Sequence, residues 1–120
     1  MELINTYSYE IKKSKFIGYL YKIKDDTEVK ILIKALWEDN KKARHIPYAY
    51  RLKNTAGKTD DKEPNNTAGM PILKVLERTN MEGYLIAIVR YFGGTKLGAG
   101  PLLRSYSLVA NEVIKVSDLG

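Results

Sequence analysis

Apolar and polar residues alternate loosely from Leu3 to Glu10 and again from Phe16 to Ile23, with the polar break Lys12-Lys13-Ser14 between them. A period of two in segments rich in β-formers predicts two strands, and the short break predicts an antiparallel hairpin. Within the second strand, Phe16 and Leu20 share one face, and Tyr19 and Tyr21 the other. The period then changes. Val29, Leu32, Ile33, Leu36 and Trp37 recur at helical spacing after the capping oxygens of Asp25-Asp26-Thr27. This predicts a helix over 27–42 with one buried stripe and a lysine-rich outer face.

Further along, Ile46 to Lys53 reads as a strand, with Pro47 at its start. Asn54 to Asn66 holds Gly57, Pro64, asparagines and the acidic group Asp60, Asp61 and Glu63. It reads as a loop with room for a short ribbon. Ile72, Leu73, Val75 and Leu76 predict a second helix over 67–79, with Pro71 in its first turn. Tyr84 to Tyr91 is the most apolar strand and is expected at the sheet centre. Leu102, Leu103, Tyr106, Val109, Ala110, Val113 and Ile114 fall on one side of a third helix over 99–116. The order is strand, strand, helix, strand, helix, strand, helix. It is expected to fold as a two-layer, four-stranded, mainly antiparallel sheet with helices on one face. The other face is then expected to be open, carrying polar, basic and aromatic side chains.

The length, 120 residues, fits one domain over residues 1–120. The chain lacks cysteine and has one histidine, which excludes disulfides, cysteine nucleophiles and multi-histidine metal sites. No segment approaches the roughly 20 apolar residues that span a bilayer, and the first residues do not form a signal peptide. A cytoplasmic location without membrane contact is expected. The formal net charge is +6, with the basic excess mostly in the first half. Together with nine tyrosines, that excess makes nucleic acid a candidate partner.

The segment from Val89 to Tyr106 has the strongest chemical content. Gly93, Gly94, Gly98 and Gly100 follow an apolar strand and lead into a helix, and Arg90, Lys96 and Arg104 lie within the same window. Exposed amides and the positive end of a helix favour an anion such as phosphate. The glycines equally suit a tight strand-to-helix turn. The spacing is neither that of a Walker loop nor Gly-x-Gly-x-x-Gly. In the third strand, alternation puts His45, Ala49 and Arg51 on one face, opposite Tyr48 and Tyr50. Asp60, Asp61 and Glu63 are weak candidates for Mg²⁺ alongside phosphate, and hydrated or helix-capping roles suit them as well. No serine-nucleophile motif is present.

Three segments carry a resemblance: His45-Ile46-Pro47-Tyr48-Ala49-Tyr50-Arg51, the stretch Thr59-Asp60-Asp61-Lys62-Glu63-Pro64-Asn65-Asn66-Thr67-Ala68-Gly69, and Arg90-Tyr91-Phe92-Gly93-Gly94-Thr95-Lys96-Leu97-Gly98. Together with Lys13-Ser14-Lys15-Phe16-Ile17 they resemble the domain shared by the IMPACT/YigZ family, over nearly the whole chain. The resemblance implies an α+β fold like the second domain of ribosomal protein S-five. It also implies a translation-associated binding domain and not an enzyme, with no cofactor. RNA or the ribosome is the leading partner, and a protein partner in translation control or stress signalling is the alternative. A small phosphate-handling enzyme using Asp60, Asp61 and Lys96 is a third reading. The residues expected to meet an anion or nucleic acid are His45, Tyr48, Arg51, Arg90, Gly93, Gly94, Lys96 and Arg104. The oligomeric state is left open.

The chain departs from the family pattern at several positions. Lys62 and Asn66 stand where that pattern has glycines, Thr59 and Asn65 where it has serines, and Pro101 where a glycine is usual. The second domain of many relatives is expected to be absent.

Overall fold

The computed structural model describes residues 1–115; Val116, the expected end of the last helix, lies outside them. The elements are β1 (Glu2–Ile11), β2 (Ser14–Lys22), α1 (Thr27–Asp39), β3 (Tyr48–Arg51), β4 (Ala56–Thr59), α2 (Gly69–Arg78), β5 (Tyr84–Tyr91) and α3 (Ala99–Lys115). The five strands form one antiparallel sheet in the order β1-β2-β5-β3-β4. The predicted hairpin is present. Ile11 pairs with Ser14 across Lys12 and Lys13, whose φ angles are 47° and 68°. Two positive φ values in a two-residue connection match the right-handed twist of the strands.

The fold class is the expected α+β arrangement around an antiparallel sheet, and two details differ. The sheet gains a fifth strand, because the ribbon inside the acidic loop, β4, pairs with β3. Its four residues lack an apolar stripe, which is why the pattern alone gives a loop with room for a short ribbon and not a strand of the main sheet. The helices, moreover, do not share one face. Phe16, Leu20, Ala49, Ile86 and Ile88 pack with α2 and α3. On the other face, Tyr21, Leu85, Ala87 and Val89 pack with Val29 and Leu36 of α1. The physical reason lies in β5. Leu85 to Arg90 are all buried, so the central strand is apolar on both sides and each side needs a cover. The tyrosine-rich face is therefore partly roofed by α1.

The pleat of β5 also sets the site. Residue 90 shares the face of Ile86 and Ile88, so a single cation is carried into the layer beneath α3. Residues 44 and 45 extend the β3 side of the sheet past Pro47. The amide of Arg90 donates to the carbonyl of His45 at 2.9 Å, and that of Arg44 to the carbonyl of Arg90 at 2.8 Å. His45 is thereby fixed beside Arg90.

Candidate functional site

A buried polar cluster sits at the end of β5. The Nη1 of Arg90 donates to both carboxylate oxygens of Glu63, at 2.9 and 2.7 Å, and its Nη2 reaches Ser14 Oγ at 3.4 Å. The Arg90 and Glu63 side chains are only 5% and 3% exposed. The hydroxyl of Tyr106, a fully buried residue of α3, donates to Oε2 of Glu63 at 2.5 Å. Burial first, and then the Glu63 charge, push the Tyr106 phenol far above its ordinary pKa, so it stays a donor. His45 completes the group. Its Nδ1 lies 2.8 Å from the carbonyl of Asp61 and its Nε2 lies 3.6 Å from Oε1 of Glu63, so both ring nitrogens face acceptors. One carboxylate thus serves an arginine and a tyrosine, with the His45 imidazole alongside, and one buried charge offsets another.

The acidic loop is shaped to deliver that carboxylate. The amide of Glu63 donates to the carbonyl of Asp60, and between them Asp61 and Lys62 have φ angles of 45° and 69°. Two left-handed residues in a tight turn are what Asp-Gly normally supplies. Lys62 therefore occupies, under strain, a position suited to the glycine of the family pattern, and Asn66, at φ 64°, does the same more comfortably.

The other two acids have backbone roles. Asp60 accepts from the amides of Asn66, Ala68 and Gly69, which satisfies donors at the start of α2. Asp61 Oδ2 accepts from the amide of Ile46 at 2.7 Å. Among the described residues no group of three or more histidine or acidic side chains is placed to hold a metal ion.

Above the cluster opens a cleft of about 310 Å³ lined by Arg44, His45, Lys62, Glu63, Pro64, Arg90, Phe92, Lys96, Leu97 and Leu102. Arg44, Lys62 and Lys96 are exposed. None of the three forms an ion pair among the described residues. The guanidinium of Arg44 lies 4.7 Å from the centroid of the Phe92 ring, a cation–π stack. Nε of Arg90 is buried without a hydrogen-bond partner.

The residues expected from sequence separate accordingly. His45, Arg90 and Lys96 converge on this cleft, with Arg90 beneath it and spoken for by Glu63. Arg51 turns to the carbonyl of Leu76 at the end of α2. Arg104 lines a different groove with Tyr9 and Ile11. Tyr48 belongs to the α1 face, where it stacks with Tyr50. Burial comes first among the causes that raise the pKa of the Tyr48 phenol. Asp60 and Asp61 do not line the cleft that Lys96 lines.

The two glycines of the turn have geometric duties. A β-carbon on Gly93 would fall 2.1 to 2.5 Å from backbone atoms of Lys13 and Ser14, and the Gly93 amide already donates to Ser14 Oγ. Gly94 has open space around it and a φ of 92°. Arg44, Lys62, Phe92, Leu97 and Leu102 are not among the site residues expected from sequence. The available signal was adjacency, since Arg44 precedes His45 and Phe92 precedes Gly93.

Among the described residues no helix is long and apolar enough to cross a membrane. Comparison with known proteins agrees with the resemblance read from the motifs. YvyE of Bacillus subtilis (strain 168), an IMPACT family member, is 35% identical over 105 residues, 85% of this chain and 48% of YvyE. A solved structure of a hypothetical protein superposes with a TM-score of 0.89 at 32% identity, covering 96% of this chain and 61% of that one. The two-domain translational regulator Yih1 shares the fold at a TM-score of 0.56 and 19% identity, covering 96% of this chain and 46% of Yih1. The chain spans about half the length of the curated relatives it matches. The model of the Impact N-terminal domain matches residues 12–114, taking in the hairpin turn, the acidic loop and the glycine turn that build the cleft. By that match, this chain belongs to the Impact N-terminal domain family.

Proposed function

We propose that this chain is a non-enzymatic, translation-associated binding domain that holds RNA, free or in the ribosome, by its phosphates at the mouth of the cleft. One observation carries the reading. Arg44, Lys62 and Lys96 stand exposed around a single opening, unpaired among the described residues, while the carboxylate within reach, Glu63, is committed to Arg90 and Tyr106. Free cations without a competing acid suit phosphate oxygens. The Gly93–Gly94 turn contributes by carrying the chain from β5 to Lys96. The net charge of +6 favours approach to a polyanion. The connection with translation is supported by family membership and by the fold shared with Yih1, a translational regulator.

Binding of a single-stranded RNA, followed by fluorescence anisotropy from low to physiological salt, tests the reading. Three phosphate contacts give a slope of log affinity against log salt of about −2. Absence of binding at low salt, or affinity indifferent to salt, overturns it. Recovery of the protein from its own cells free of RNA and with one stoichiometric protein would favour a protein-interaction module instead.

A further inference from the structure

The cleft holds more than a phosphate backbone needs. Beside the three rim cations lie half-buried Phe92 and the core residues Leu97 and Leu102, an apolar wall that a chain of phosphates would not touch. The volume of about 310 Å³ falls at the lower end of small-molecule pockets, room for one ring system and one charged group. The Phe92 ring carries the Arg44 guanidinium over one face at 4.7 Å, an aromatic and cationic pair of the kind nucleobases pack against. Three cations around one opening match a phosphate monoester, which carries nearly two negative charges near neutrality, better than a diester, which carries one.

Building on the RNA reading, we infer that the cleft takes a single nucleoside monophosphate. The phosphate lies among Arg44, Lys62 and Lys96, and the base lies against Phe92, Leu97 and Leu102. Two sources offer that chemistry: a free mononucleotide and the phosphorylated terminal nucleotide of an RNA.

Calorimetric titration of the full chain at low salt with AMP, adenosine, ribose 5-phosphate and inorganic phosphate tests the ligand class. AMP is expected to bind at least about tenfold more tightly than adenosine, which lacks the charge, and than ribose 5-phosphate, which lacks the stacking base. The source is read from one RNA sequence prepared with a 5′-phosphate, with a 3′-phosphate, with hydroxyl ends, and as a closed circle. A phosphorylated end that binds at least about tenfold more tightly than the circle, and is displaced by AMP, supports the terminal nucleotide. Lys96→Ala should weaken AMP several-fold, whereas Lys74→Ala, an equal charge loss on α2 away from the cleft, should not.

If every RNA form binds alike, salt-dependently, and AMP neither binds nor competes, the inference fails and the RNA reading stands. If AMP binds and no RNA does, the inference holds for the free nucleotide and the RNA reading fails. If nothing binds, both fall. AMP affinity unchanged in Lys96→Ala also overturns the placement in this cleft.

Discussion

Oε2 of Glu63 sits 2.7 Å from Nη1 of Arg90, with both side chains almost wholly out of water. The pair joins two segments distant in sequence, the tight turn of the acidic loop and the end of the central strand. Tyr106 adds a third, the last helix. Because each charge is buried, neither tolerates loss of the other. Glu63→Gln and Arg90→Met are each expected to lower stability by about 3 kcal/mol or more, read from urea unfolding midpoints. The double variant Glu63→Gln/Arg90→Met should be far less damaged than the sum of its parts. Additive losses would show that the two side chains do not act as a pair.

The strained turn gives a prediction of opposite sign. Lys62 holds a φ of 69° immediately after Asp61 at 45°. Lys62→Gly should raise stability by about 1 kcal/mol, because glycine takes this angle without a clash. Asn66→Gly should gain less, since asparagine already tolerates the left-handed region. A thermal unfolding comparison decides it, and destabilisation by Lys62→Gly would contradict the backbone argument.

Gly93 and Gly94 are adjacent yet should respond differently to alanine. At Gly93 the new carbon meets backbone of Lys13 and Ser14, which cannot rotate aside. The strands must part, at a cost of about 3 kcal/mol or more. At Gly94 the space is free and only the φ of 92° is at issue, so the cost should stay near 1 kcal/mol. Equal losses in denaturant unfolding would count against this division.

Alkaline pH should unfold the protein through its buried phenols. Burial first, and then Tyr19 and Asp39, push the Tyr21 pKa up to about 12, and Tyr106 is raised further. A raised tyrosine pKa means that the folded state keeps the proton longer. Stability is thus fully present below pH of about 10, the unfolded value, and is lost as pH rises toward the folded values. The loss should approach about 1.4 kcal/mol per pH unit for each such tyrosine. Denaturant unfolding between pH 9 and 12 measures it, and Tyr21→Phe should shallow the slope. A flat profile in the wild type would mean that these phenols ionise equally in both states.

Much of the architecture follows from the sequence by itself. The hairpin, the three helices, the central strand and the facing of Phe16 and Leu20 against Tyr19 and Tyr21 come from local periodicity, which depends only on which neighbours are apolar. The polar motifs that build the cleft were also visible as motifs. Their assembly was not. That α1 covers the second face of the sheet depends on how much of β5 must be buried on each side, a property of the whole layer. That Arg51 and Arg104 point elsewhere while Arg44, Lys62 and Lys96 share one opening depends on how β3, α3, the acidic loop and the turn after β5 pack together. Charge in a sequence carries no direction. Only tertiary packing decided that Arg90 is a buried partner of Glu63 while Lys96 stands exposed at the rim, because burial makes a cation seek a carboxylate and exposure does not.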